Sequence, residues 1–307
     1  MKIVFFGTPE FAVKSLETLL ALPVNVTAVV TQPDRPRGRS HSTFDPTPVK
    51  RFALAAGIPV LQPERPNSPE FVDRLRQFSP DLGVVVAYGH ILKPAVLEVP
   101  RLGMINVHAS LLPRWRGAAP IQWAIAHGDQ TTGVTIMQME AGLDSGPILL
   151  SRDLTIGPSE TGGELTARLA TLGAAALGDG IGLLVRGAGT FRPQDHGAAT
   201  MAPKVGREVG RIDWTRPADE VANRIRAFDP VPGAWTTIAG RDVKCFRPRI
   251  LKGNGQPGTV LWQSPELVIA AGSGGVAVGQ VQPAGKPRMD TIDWLRGRPL
   301  ALGDQLG

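Results

Sequence analysis

One cysteine, Cys245, in 307 residues leaves no partner for an internal disulfide and no thiolate-rich zinc site, which fits a reducing compartment. Long apolar runs are scarce as well. The opening MKIVFFGTPEF holds four consecutive apolar residues, Ile3 to Phe6, before Gly7 and Pro9, too few for a signal-peptide core. No run approaches the roughly 18 apolar residues of a membrane span. The expectation is a soluble chain that is not secreted. The G-x-G-x-x-G pattern is missing after the first apolar run, where Gly7 stands alone, so a dinucleotide-binding opening is the weaker reading. No serine or cysteine sits in a G-x-S-x-G context, which favours direct transfer over a covalent acyl-enzyme. Internal repeats and low-complexity tracts are absent.

What is present is a chain long enough for two domains, each able to bury a core. The apolar fraction of 42% belongs to a globular protein, and 28 Pro with 36 Gly predict many loops and short helices. The formal charge is +6 and the pI near 9.9, which permits a polyanionic partner without demanding one. The excess is modest and shared: 20 Lys/Arg face 17 Asp/Glu up to residue 207, and 13 face 10 beyond it.

Residues 2–6 read as a buried strand, and Thr8 as an N-cap with Pro9 at the first helical position. Phe11, Ala12, Ser15, Leu16, Leu19 and Leu20 recur at helical spacing, and residues 24–30 form a second strand. A strand–helix–strand start predicts a parallel sheet with a right-handed crossover. Residues 31–49 read as a long polar loop with Arg35, Arg37 and Arg39, either a substrate-gripping loop or a solvated excursion. Helices at 50–56, 69–78, 120–127 and 161–184 alternate with strands at 60–61, 82–87, 102–108, 133–139 and 148–154. About seven strands interleaved with helices make the first two-thirds one α/β domain. Tyr88-Gly89-His90 caps one strand, at the edge where open α/β sheets bind ligands.

Residues 191–208 are polar and Gly/Pro-rich and read as a linker. Beyond them, an amphipathic helix at 217–228 places Val221, Ile225 and Phe228 on one face. Five short β-like runs then follow at 234–238, 243–246, 259–262, 267–271 and 276–281, the pattern of a small antiparallel barrel or sandwich. Lys244, Arg247 and Arg249, with Lys286, Arg288, Arg296 and Arg298, could track a phosphate backbone.

The stretch INVHASLLPRWRGAAPI, 105–121, carries the chemistry. Asn106 and His108 interrupt an apolar strand two positions apart, so both face one side at its end. A neutral imidazole can act as a base, a charged one can stabilise an oxyanion, and an amide N–H beside it would help hold that oxygen. Asp144 lies between Gly142 and Gly146 in a sharply turning segment. Near His108 it would fix the imidazole tautomer; sequence spacing leaves open whether it reaches.

The stretches INVH-S-LLP-RWRGAAPI, GVTIMQM-GLD-G, GTP-F, TQPDRP-GR and AYG-IL resemble those of methionyl-tRNA formyltransferases. The likeness continues in RIDW, IRAF-P, PG-W and QPAGK, and so spans nearly the whole chain. The resemblance implies an α/β fold: a Rossmann-like formyltransferase domain with a mostly parallel sheet at 1–190, a linker at 191–207, and a smaller OB-like β-barrel domain for tRNA at 208–307. It implies Asn106, His108 and Asp144 as the catalytic trio, Ser110, Leu111, Leu112 and Pro113 as folate-binding, residues 88–92 around the pteridine, and Arg39 near the tRNA acceptor end. Relatives tend to carry lysines after that arginine, whereas Ser40, His41, Ser42, Thr43 and Phe44 follow here. The implied formyl donor is 10-formyltetrahydrofolate and the acceptor initiator methionyl-tRNA, with no metal, no membrane, a cytoplasmic location and a monomeric state. Three rivals stand beside it: a related formyltransferase acting on a small amine, a dinucleotide-dependent oxidoreductase, which would need the missing glycine pattern, and a non-catalytic RNA-binding protein.

Overall fold

The computed structural model describes residues 1–37, 43–262, 266–297 and 300–307. Two compact units interleave along the chain. The first comprises Met1–Gly117, Gly133–Leu154 and Thr166–Met201, and the second Ala118–Thr132, Thr155–Leu165 and Ala202–Gly307.

The first unit is built on β1 (Lys2–Gly7). Ile3, Val4, Phe5 and Phe6 are all fully buried, which is why the strand reads as a continuous apolar run: a parallel strand is covered on both faces. Helix α1 (Glu10–Ala21) follows, burying Ala12, Val13, Leu16 and Leu19. Its N-cap is Pro9, without a side-chain cap. The Thr8 hydroxyl, expected to cap it, instead donates to the Tyr88 carbonyl at 3.0 Å, because that oxygen at the neighbouring strand's end is within its reach.

After β2 (Asn25–Val30), the stretch expected to be structureless contains an antiparallel pair, β3 (Arg35–Arg37) and β4 (Thr43–Asp45). Its base is fastened by Asp34, which pairs with Lys50 and accepts from Gln62 Nε2 at 2.7 Å. Helix α2 (Pro48–Ala55) is capped by the Thr47 hydroxyl. Then come β5 (Val60–Leu61), α3 (Pro69–Arg76), β6 (Leu82–Val86), α4 (Pro94–Leu97), β7 (Met104–His108), α5 (Pro120–Ala126), β8 (Thr131–Gln138), β9 (Ile148–Thr155) and α6 (Gly162–Val185).

The seven-stranded sheet runs β5-β2-β1-β6-β7-β8-β9. Pairs β5–β2, β2–β1, β1–β6 and β6–β7 are parallel and β7–β8 antiparallel. The chain builds outward from β1 to β5 on one side, then returns to β6 on the other. This reversal opens a crevice at the strands' carboxyl ends, where such sheets bind ligands. Helix α6, 24 residues long, contains an 18-residue window of mean hydropathy 1.4 and so is long and apolar enough to cross a membrane by length and composition, although no uninterrupted apolar run of that length exists. Leu165, Leu169, Leu177 and Ile181 on it are buried, as in the core helix of a globular fold.

The second unit takes in α5 from the middle of the chain, together with α7 (Ala218–Ala227) and the strands β10 (Ala234–Ile238), β11 (Arg241–Leu251), β12 (Val260–Trp262), β13 (Leu267–Ala270), β14 (Gly275–Pro283) and β15 (Met289–Asp290), followed by α8 (Thr291–Arg296). The antiparallel sheet runs β10-β11-β14-β13-β12, with β15 on β14. Val221, Ile225 and Phe228 are buried as their helical spacing predicts. Cys245 is also buried, and burial pushes its thiol up to about 12.

Gly133 on β8 shows how tightly the site's scaffold is packed. A methyl group there would stand 2.1 Å from the Arg152 carbonyl oxygen and 2.6 Å from a Leu111 methyl. Gly133→Ala should therefore cost about 1–3 kcal/mol of stability, the usual penalty for overpacking. Urea unfolding measures it, and an unchanged midpoint would refute the crowding.

Candidate active site

The groups around Asn106, His108 and Asp144 described below lie in the first unit. Strand β7 supplies the centre. Met104, Ile105 and Val107 are buried while Asn106 is half-buried, paired in register with Val85 on β6 and Met137 on β8. Asn106 and His108 share a face through the two-residue repeat of a strand. Among the described residues the Asn106 amide has no hydrogen-bond partner in the protein. His108, 5% exposed, is held: its Nε2 lies 2.9 Å from the Trp115 carbonyl oxygen. A carbonyl only accepts, so Nε2 carries a hydrogen in this arrangement.

The other ring nitrogen, Nδ1, stands 3.6 Å from Asp144 Oδ2. That is within ion-pair range but too long for a hydrogen bond. The same Oδ2 accepts the Gly117 N–H at 2.8 Å. The structure thus brings His108 and Asp144 together, the point that sequence spacing left open. Two of the residues that do this have unusual backbone for their type: Trp115 at φ 62 and Asp144 at φ 47 both lie in the left-handed region, which persists only where surrounding contacts enforce it. Gly117, at φ 119, is where glycine's freedom is needed.

The turn after His108 closes on itself. The Ser110 hydroxyl donates to the Arg114 carbonyl at 2.6 Å, and the Thr135 hydroxyl donates to the Ser110 carbonyl at 2.7 Å. The Leu112 N–H reaches Thr135 Oγ1 at 3.1 Å. Ser110 and Leu112 are buried, whereas Leu111 and Pro113 are half-buried at the surface of the turn. The Ser110 side chain is therefore occupied within the protein, and its backbone shapes the turn.

Near the end of β6, the Tyr88 ring turns into the core, edge-on to Phe6, at 1% exposure. Gly89, His90 and Ile91 are exposed. Arg39 lies outside the described residues, as does Arg298.

Arg116 and three residues that sequence reasoning passed over, Gln194, His196 and Thr200, contribute here. Arg116, 8% exposed, donates from Nε and Nη2 to Gln194 Oε1 at 3.1 and 2.6 Å, and Nη2 lies 3.1 Å from His196 Nδ1. Thr200 accepts the Trp115 N–H on its hydroxyl at 2.9 Å and the Arg116 N–H on its carbonyl at 2.8 Å. Gln194, His196 and Thr200 fall in the segment read as a linker. Their only signal is indirect: a buried arginine requires a partner. In the second unit, several basic residues read as phosphate-tracking are engaged within the protein. Arg288 makes two bonds to the buried Asp229 carboxylate, at 2.7 and 3.0 Å, and stacks 3.9 Å over Phe246. Arg249 pairs with Glu266, and Arg296 with Asp293. The described residues contain no group of three or more His, Cys, Asp or Glu that could hold a metal ion.

An open amide, an imidazole and a carboxylate at a sheet's carboxyl edge suit attack on a carbonyl without a covalent enzyme intermediate. The sequence pattern of the formyl transferase family matches residues 1–181, and that of the formyl transferase C-terminal domain matches 204–299. The chain is thus a formyl-group transferase by its two domains. The methionyl-tRNA formyltransferase of Myxococcus xanthus is 48% identical over 305 residues, covering 99% of this chain and 97% of that one. That of Pelobacter propionicus is 47% identical, covering 99% and 96%. The chain belongs to the methionyl-tRNA formyltransferase family. Among solved structures, an N-formyltransferase of Helicobacter canadensis in complex with folinic acid and dTDP-3-aminofucose has the same fold, with a TM-score of 0.69 at 18% identity over 92% of this chain and 99% of that one. HypX of Aquifex aeolicus in complex with tetrahydrofolic acid does so at 0.65 and 17%, over all of this chain and half of that one.

The burial of Tyr88 has a direct readout, because it is the chain's single tyrosine. Burial pushes its phenol from 10.0 up to about 12. The folded state keeps its proton longer than the unfolded state, so this group's stabilisation is complete below about pH 10 and is lost as pH rises toward 12. Ultraviolet titration should show tyrosinate appearing near pH 12 in the folded protein. A midpoint near 10 with the fold intact would refute the placement.

Proposed function

We propose that this protein transfers the formyl group of 10-formyltetrahydrofolate to the α-amino group of methionine on initiator tRNA, in the cytoplasm and as a monomer. The observation that carries the mechanism is the open Asn106 amide beside His108, with Asp144 3.6 Å from the imidazole.

The neutral methionyl nitrogen attacks the formyl carbon, and the carbonyl π pair moves onto oxygen. The Asn106 amide donates to that oxyanion. The protonated His108 joins it when its Nε2–H exchanges the Trp115 carbonyl for the new acceptor. Asp144 balances the imidazolium charge and, through a water, takes the proton released by the attacking amine. Collapse restores the carbonyl and breaks the bond to the donor nitrogen, which leaves carrying the proton that Asp144 returns through the water. The turn at 110–113 and residues 88–92 serve the folate, the loop around Arg39 the acceptor end of the tRNA, and residues 208–307 its phosphate backbone, with 191–207 joining the two domains.

His108→Ala should lower kcat on the order of 100- to 1000-fold, the cost of losing one oxyanion donor, with the circular-dichroism spectrum unchanged. Near-full turnover would remove His108 from the chemistry. The decisive comparison is formyl transfer to methionyl initiator tRNA against free methionine. Transfer to the charged tRNA alone supports this reading, whereas transfer to free methionine points to small-amine acceptors. Affinity for the tRNA should also fall steeply with added salt, because phosphate contacts release counterions. A salt-independent affinity would refute a phosphate-based grip.

A further inference from the structure

Asp144 reaches His108 by an indirect route. Strand β8 runs antiparallel to β7, with Thr135 opposite His108 and Gln138 opposite Ile105. The Met139 N–H bonds to the Met104 carbonyl, so the chain leaves the sheet at the wrong end of β7. Four residues of strand, about 13 Å at 3.3 Å each, separate that exit from His108. Residues 140–144 must double back over this distance without secondary structure, and 140–143 are exposed. Such a segment does not hold a carboxylate in place by itself.

One buried side chain grips its far end. Gln194 is 6% exposed, and its Nε2 donates to both the Asp144 carbonyl at 2.9 Å and the Gly146 carbonyl at 2.7 Å. Its orientation is imposed from behind, since Arg116 has only hydrogens to offer and meets Oε1 with two of them. Arg116 stands between Trp115, whose carbonyl holds His108, and Gly117, whose N–H holds the Asp144 carboxylate. We infer that Gln194 is a positioning residue for formyl transfer, one that fixes the Asp144 loop at the His108 ring through its two carbonyl contacts and the Arg116 brace. This rests on the function proposed above.

Gln194→Met keeps the volume and removes both donors and the acceptor. With the full chain, methionyl-tRNA and 10-formyltetrahydrofolate, kcat should fall ~10- to 100-fold, the scale of a displacement near 1 Å in a catalytic group. KM for the tRNA should stay within about twofold of the wild type, since uniform binding is untouched. In an Asp144→Asn background the same substitution should cost no more than about twofold further, because residues acting as one unit are not additive. Should the Met variant fail to fold, Gln194→Glu retains an acceptor for Arg116 and removes the hydrogens facing the two carbonyls, and the same kcat loss and non-additivity are expected. A kcat per folded molecule equal to wild type, or a full independent loss in the Asp144→Asn background, overturns the inference and reduces Gln194 to a packing role. A wild-type chain that transfers no formyl group would overturn the proposed function and this inference with it, and the parallel wild-type assay separates the two failures.

Discussion

Three consecutive backbone units, Trp115 to Gly117, set the relative position of the imidazole and the carboxylate. The Trp115 carbonyl takes one side of His108, the Gly117 N–H takes Asp144, and the Arg116 side chain between them reaches toward the Asp144 loop. A strand such as β7 aims side chains only to its two faces, so it can present Asn106 and His108 but cannot choose the orientation of the His108 ring or its counterion. That choice is made by this short segment. It explains why the segment accepts a left-handed tryptophan and a glycine at φ 119.

The scaffold beneath it is less specialised. A fully buried β1 and its parallel neighbours form a rigid floor, and the reversal of strand order opens a crevice above it. What distinguishes this chain from a generic open α/β sheet is the antiparallel step to β8. It brings Thr135 opposite His108, where the Thr135 hydroxyl knits the 110–113 turn to the sheet. It also sends the following loop away from the site, and the loop's return depends on side-chain contacts from elsewhere in the chain.

Much of this was legible in the sequence, for a physical reason in each case. The two-residue spacing of Asn106 and His108 within an apolar strand identifies a shared face directly, and Asp144 between two glycines marks a turn that only a few residue types tolerate. The strand–helix alternation gave the parallel sheet, and the later short apolar runs gave the antiparallel one. Other features depend on contacts that span the chain. Arg116 and Gln194 are 78 positions apart, and nothing local to a Gly/Pro-rich stretch announces a buried glutamine. The Thr8 hydroxyl looked like a helix cap because sequence shows only its own helix, not the Tyr88 carbonyl 80 positions on. Likewise, Arg288 reads as a free cation until Asp229 and Phe246 are seen around it.

The buried position of Cys245 bears on how the protein can be studied. Its thiol is covered on every side and stays protonated through the working pH range, and thiolate is the form that alkylates. The native chain is therefore silent toward maleimides and iodoacetamides while folded. A cysteine introduced anywhere on the surface becomes the sole reactive sulfur, with no background site to delete first. Dyes, spin labels or crosslinkers for following the loops around the site can be attached one at a time to an otherwise unaltered protein.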